Sequence, residues 1–341
     1  MYNWRDNMYL NQAKSHIEKL LHMKTPVFMW GSPGIGKSSI VKQIADENKW
    51  GLIDLRLSLL NPVDLRGLPF YDEKEKAAIW LRPEFLPTEE KHGKEGILFL
   101  DELNTAPTSV QIAAYQLVLD RKIGEYVMPK GWRIVAAGNR ETDAAMVTKM
   151  PSPLANRLIH LDVSANIEDW KAWAVGKVDS RVIGFLNFKP KLLVRIPKAE
   201  DKAYPTPRSW NYVSEIINLY KDPFDADEII NGAVGEGPAK EFLAFMSIYS
   251  KLPSIDDILA GKYNKVPKEP DVLYALCSAM VPKMKDQYVD NFVKYVLKMP
   301  AEFGALAIKD VAKNGWNEQI VASKYFEKWV EENHELVMDE V

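Results

Sequence analysis

Residues 31–38 read Gly31-Ser32-Pro33-Gly34-Ile35-Gly36-Lys37-Ser38, and no other stretch constrains the fold as tightly. The run follows the apolar segment Val27-Phe28-Met29-Trp30 and opens a helical pattern from Ser38 to Asn48. Strand, glycine turn and helix in that order let successive backbone N–H groups turn inward around a phosphate. The helix N-terminus behind the turn adds partial positive charge. Lys37 is spaced to reach β- and γ-phosphates, and Ser38 to offer a hydroxyl to Mg2+.

Four more short apolar runs recur: Leu52 to Leu55, Ile97 to Leu100, Ile134 to Ala137 and Leu158 to Leu161. Each is too short for a comfortable helix and reads as a strand covered on both faces. Helical patterns lie between them, as at Thr108 to Asp120. The alternation predicts an α/β chain with a parallel sheet sandwiched by helices. After about Val163 the strand-like runs stop. Amphipathic stretches at 167–175, 209–219, 238–251, 271–280 and 287–297 predict a mostly helical second half, with Pro-rich breaks at 188–207 and 262–270. A length of 341 residues fits about two domains of ordinary size.

The third run ends in Asp101-Glu102. A parallel strand presents its last residues at the carboxyl edge of the sheet, where ligands of open sheets sit. Asp101 is there suited to hold Mg2+, directly or through water, and Glu102 to polarise an attacking water. Alone, such a pair is equally a surface acidic turn; downstream of an intact phosphate loop it points to hydrolysis. The fourth run ends Gly138-Asn139. An Asn there can be a simple turn residue, but beside the acids it reads as a polar group that helps place water.

These features in this order resemble the AAA+ ATPases, most closely the MoxR-like branch. The resembling segments are GSPGIGKSS (31–39), NPVDLRGLP (61–69), RPEFLP (82–87), ILFLDELN (97–104), VQIAAYQLVLDRKIGEY (110–126), AAGNR (136–140) and SPLANR (152–157), with TPRSW (206–210) weaker. The resemblance implies a P-loop core over 1–165, an all-helical lid over 166–250 and a helical C-terminal extension over 251–341. It implies ATP and Mg2+ as the bound species, with Gly31, Ser32, Pro33, Gly34, Ile35, Gly36, Lys37, Ser38 and Ser39 around the nucleotide and Ser38 and Asp101 on the metal. Glu102 matches the catalytic acid, Asn139 the first sensor, Arg157 the arginine finger that acts on a neighbouring subunit, and Arg208 the second sensor. Leu158 stands where the family usually has an aromatic after the finger. A guanidinium suits the charge spread over γ-phosphoryl oxygens in the transition state. The implied assembly is a homo-oligomeric ring, by analogy a hexamer. The implied work is chaperone-like remodelling of a protein client, often one with a von Willebrand factor A domain.

A nucleic-acid-associated motor or a nuclease-linked NTPase is the alternative. Lys and Arg number 44 against 47 Asp and Glu, a formal net charge of −3, which argues against a dominant basic face. The basic residues Lys189, Lys191, Arg195, Lys198 and Lys202 read as a solvated loop. The single cysteine, Cys277, excludes an intramolecular disulfide and reads as a small buried hydrophobe. No run approaches 18 apolar residues, and MYNWRDNMYL lacks a signal-peptide pattern, so a cytoplasmic protein is expected. His16, His22, His92, His160 and His334 show no ligand spacing, so no zinc site is expected. Two β-hairpins are expected, one over 68–82 and one from Lys122 to Arg133 with Lys130-Gly131 near its turn. The acidic tail, 331–340, reads as a solvated helix end.

Overall fold

A computed structural model of the chain describes residues 8–333, apart from 75, 144–147, 199, 221 and 250. His334 and most of the acidic tail lie outside the described residues. The chain divides into two compact units. One runs to Asn166 and takes in Ile196–Ala199; the other comprises Ile167–Arg195 and the chain from Glu200 onward.

The first unit begins with β1 (Met8–Tyr9), α1 (Leu10–His22), β2 (Val27–Trp30) and α2 (Lys37–Asn48). It continues through β3 (Gly51–Arg56), α3 (Pro62–Arg66), β4 (Leu68–Asp72), β5 (Ala77–Leu81), α4 (Glu89–His92) and β6 (Glu95–Asp101). After these come α5 (Thr108–Asp120), β7 (Lys122–Ile123), β8 (Tyr126–Val127), β9 (Gly131–Gly138), α6 (Ser152–Ala155) and β10 (Ile159–Ser164). Six strands form one parallel sheet in the order β1-β10-β2-β9-β6-β3. The five apolar runs read from the sequence are its strands; the added edge, β1, is two residues that pair with Val163 and Ser164. Ile97, Leu98, Phe99 and Leu100 are all buried, as expected of a strand covered on both sides. The core packs Leu117 and Val110 of α5 against Phe28, Leu100 and Ile134 of the sheet.

The first expected hairpin is present: β4 and β5 pair antiparallel, Phe70 opposite Ile79 and Tyr71 opposite Ala78. The second is shorter and lies earlier than expected. β7 pairs with β8, Ile123 opposite Tyr126, around a turn at Gly124, φ +55°. Gly131 is instead the first residue of the buried strand β9, opposite Glu95. A Cβ there would stand 2.0 Å from the Lys94 carbonyl, so this glycine serves close strand approach, not a turn.

The second unit is helical among its described residues, as the periodicity predicts. It contains α7 (Ile167–Ala174), α8 (Ser180–Phe188), α9 (Pro207–Leu219), α10 (Asp227–Val234), α11 (Glu236–Tyr249) and α12 (Ile255–Leu259). Then follow α13 (Pro270–Met280), α14 (Val289–Val296), α15 (Ala301–Val311), α16 (Asn317–Val321) and α17 (Phe326–Glu332). Thr206 caps α9 through its side chain, with Pro207 in the first turn. Phe185 packs against Trp210, Phe242 and Phe245 with ring centroids 5.3–5.7 Å apart. α8 lies close on α13: a Cβ on Gly184 would meet Ser278 Oγ at 2.2 Å. A second core gathers Leu276, Phe292, Val296, Phe303 and Trp329. Among the described residues no helix is long and apolar enough to cross a membrane.

Candidate nucleotide site

The turn between β2 and α2 carries the first set of candidate residues. Gly34 and Gly36 have φ +76° and +113°, values that a side-chain-bearing residue adopts only with strain. Gly31 is buried, and a Cβ on it would meet the Val163 carbonyl at 2.8 Å. Ile35 is buried and anchors the turn to the core. Gly36 is the N-cap of α2, which has no side-chain cap and no acid in its first turn. The first-turn amides of this 12-residue helix thus keep the positive end of the dipole at the turn. Ser39 is exposed on the next position.

Lys37 is buried at the start of α2. Its ammonium donates to the carbonyls of Gly31 and Ser32, the latter at 3.1 Å, and to Asn139 Oδ1 at 3.2 Å. Ser38 Oγ donates to Asp101 Oδ2 at 3.5 Å. A hydroxyl and a carboxylate oxygen are the hard donors that Mg2+ takes, so Ser38 and Asp101 would be the residues to hold one. The donor set therefore fits a magnesium ion. Burial pushes the Asp101 carboxyl above the usual carboxylate range; the N–H of Glu102, 2.9 Å away, and the Lys37 charge pull it back in part. Asp54 on β3 is also raised, by burial and then by the charge of Asp101.

Glu102 has a left-handed backbone, φ +56°. Its carboxylate accepts from Ser58 Oγ and lies 3.7 Å from Arg56 Nε. Asn139 follows the last residue of β9. Its backbone is gripped from both sides by one side chain: Asn104 Nδ2 donates to its carbonyl at 2.7 Å, and its N–H donates to Asn104 Oδ1 at 3.1 Å. A further strap runs through the buried Asp143, which accepts from Ser32 Oγ at 2.8 Å and from the Arg140 N–H at 3.0 Å. Asp54, Ser58, Asn104 and Asp143 were not singled out by sequence. Asn104 sits inside the ILFLDELN segment, but the others follow no spacing rule.

Hydrogen bonds thus join Lys37 to Asn139 and Ser38 to Asp101, whose carboxylate takes the Glu102 N–H. Arg157, just after α6, is exposed and shares none of these bonds. Arg208, the second residue of α9, is exposed on the second unit.

A parallel sheet whose carboxyl edge carries an uncapped glycine turn and a paired acid defines a P-loop nucleotide-binding protein. Residues 27–158 match the model of the AAA family, the ATPase family associated with various cellular activities. It is also similar to a RuvB mutant from Thermotoga maritima, at 17% identity over 80% of each chain with a TM-score of 0.40. NtrX from Brucella abortus in complex with ATP is similar at 14% identity over 96% of this chain and 69% of that one, TM-score 0.38. A provisionally assigned ATPase from Cytophaga hutchinsonii is similar at 14% identity over 65% and 81%, TM-score 0.32. Identities this low say nothing of what the chain acts on.

Proposed function

We propose that the chain is a Mg2+-dependent ATPase of the MoxR-like AAA+ branch, working in the cytoplasm as a homo-oligomeric ring of six subunits that remodels a protein client. The observation that carries this reading is the convergence of Lys37, Ser38, Asp101 and Asn139 on the uncapped start of α2.

In this reading the loop amides and Lys37 bind the β- and γ-phosphates of ATP. Ser38 and Asp101 hold Mg2+, which when bound neutralises charge on the phosphate oxygens. Glu102 leaves Ser58 and Arg56 to polarise water, and Asn139 orients that water beside the γ-phosphoryl group. Arg157, exposed and unengaged by its own site, is offered to nucleotide on the next subunit. Arg208 serves as the second sensor from a lid over 166–250, with 251–341 as the extension. A site completed in trans makes turnover depend on assembly, since such an arginine is worth about 10³–10⁵ in rate in GTPases.

The client reading is supported by the β4–β5 hairpin. Phe70 and Tyr71 are 58% and 61% exposed, and Leu68 and Leu81 are also open to solvent. Adjacent exposed apolar side chains of this kind mark interaction surfaces. A protein bearing a von Willebrand factor A domain is the expected client.

The deciding experiment measures Mg2+-dependent ATP turnover of the wild type and Lys37→Ala. A loss of about 100-fold or more is expected, the scale of removing one preorganised donor; equal rates overturn the assignment. DNA-stimulated turnover that falls steeply with salt would replace the protein client by nucleic acid.

A further inference from the structure

Behind the phosphate loop, three aromatic rings share one face of the sheet. Phe28 and Trp30 on β2 lie 4.4 Å apart between centroids. His160 on β10 is nearly parallel to Trp30, at 24° and 5.9 Å. Trp30 Nε1 bonds His160 Nδ1 at 2.9 Å, and His160 Nε2 bonds the Ala155 carbonyl at 2.8 Å. Chemistry fixes the tautomer. An indole N–H can only donate, so Nδ1 accepts; a carbonyl can only accept, so Nε2 carries the proton. A neutral histidine thus spans two elements with both nitrogens engaged.

The two ends of that span matter. Trp30 is covalently next to Gly31, whose N–H donates to the Gly138 carbonyl at 3.2 Å. Ala155 closes α6, a four-residue helix too short to hold itself. Its carbonyl also takes the Leu158 N–H at 3.3 Å, and the Arg157 N–H donates to the Leu154 carbonyl at 3.0 Å. The turn that presents Arg157 thus has Ala155 among its supports, beside the buried Leu154 and Leu158, and His160 is a side chain that ties Ala155 to the strand feeding the phosphate loop.

We infer that His160, through Trp30 and Ala155, is a positioning residue that sets the Arg157 turn relative to the phosphate loop of the same subunit. The inference rests on the trans-acting role given to Arg157. It makes the Trp30–His160–Ala155 chain a link between the nucleotide a subunit holds and the guanidinium it offers to the next.

The test uses the assembled protein with three variants. His160→Leu removes both bonds, Trp30→Phe removes the donor, and His160→Gln can accept and donate through one amide. Leu and Phe variants are expected to bind a fluorescent ATP analogue within about twofold of wild type while turnover falls about tenfold or more, since an ångström of misplacement costs on the order of 10²-fold. The Gln variant should recover most of the turnover. Mixing His160→Leu with Glu102→Gln subunits should restore activity, because the second supplies a well-placed Arg157 to the first. A mixture of Arg157→Ala with Glu102→Gln is the control. Rescue in the control but not with His160→Leu overturns the positioning role alone; rescue in neither overturns the role of Arg157 and this inference with it. Should His160→Leu fail to fold, Trp30→Phe carries the same comparisons, and unaltered turnover in it overturns the inference.

Discussion

Glu102 occupies a backbone conformation that costs a side-chain-bearing residue on the order of 1–3 kcal/mol. Its surroundings enforce it: the N–H groups of Thr105 and Ala106 donate to its carbonyl at 3.0 and 3.1 Å, and the Leu103 N–H is tied to Ala137 at 3.0 Å. The strained turn sends the carboxylate to Ser58 and Arg56 rather than to the metal donors. Glu102→Gln should keep ATP binding and lose turnover by about 10²–10⁴, the range of general-base catalysis, as read by single-turnover kinetics. Ser58→Ala should raise turnover a few-fold at unchanged ATP affinity, because one of the two restraints is gone. Asp101 gives a pH prediction. Its carboxyl is raised by burial, so the folded state holds that proton more tightly than the unfolded chain. The stability this contributes is complete at low pH and is lost as pH rises through the raised value. Without metal, Asp101→Asn should therefore raise Tm at neutral pH, and wild-type affinity for Mg2+-ATP should fall on acidification at a pH above the ordinary carboxylate range. Lys37, Ser38, Asp101 and Asn139 were legible because strand ends and helix starts fix them by spacing alone. Asp54, Ser58 and Asp143 were not, because they reach the site only through the strand order β9-β6-β3 or a strap across 111 residues, from Ser32 to Asp143.

At the scale of elements, the two hairpins separate pattern from packing. β4 and β5 were legible because aromatic and β-branched residues flank a charged turn. Their near-complete exposure was not, since alternation predicts one buried face. An isolated two-stranded ribbon is marginal in water, so its base has to be fixed. Gly67 does this at φ +84° and ψ −172°, a region open only to glycine, with space for a Cβ closed by the Leu81 carbonyl at 2.0 Å. Gly67→Ala should destabilise the first unit by about 1–3 kcal/mol in urea denaturation. Phe70→Ser with Tyr71→Ser should change that stability by no more than about 0.5 kcal/mol each, and basal turnover should stay unchanged. A large loss of stability would mean these rings pack on their own unit and would remove the support they give to client contact. Gly131 misled the reading of the second hairpin because Lys-Gly has the look of a turn, and nothing local reveals that a neighbouring carbonyl forbids a side chain.

For the whole molecule, the helical unit is organised around a buried ion pair that the sequence did not announce. Lys171 Nζ lies 3.0 Å from Asp310 Oδ1, both side chains largely buried, and Asn187 Nδ2 reaches the other carboxylate oxygen at 3.3 Å. Asp310→Ala should cost about 3 kcal/mol, because the buried ammonium keeps only the more distant Glu168, at 3.9 Å. Joint replacement of Lys171 and Asp310 by apolar residues should cost less. Cys277 reports the same unit: burial holds its thiol well above the ordinary range, so iodoacetamide should modify it only as the unit unfolds. The residue count and periodicity foretold a helical half, but not which charges it would bury. In the other unit, the ammonium of Lys37 already has three oxygen partners from the chain itself. Admission of a ligand is thus a swap, not a capture. A lone inorganic anion replaces a few of those contacts and gains little. In the proposed reading, a polyphosphate with its cation would also engage the amides of α2, Ser38 and Asp101. On that reading the resting loop would act as a tariff on small anions, and selectivity for long phosphate chains would be set before any base is read.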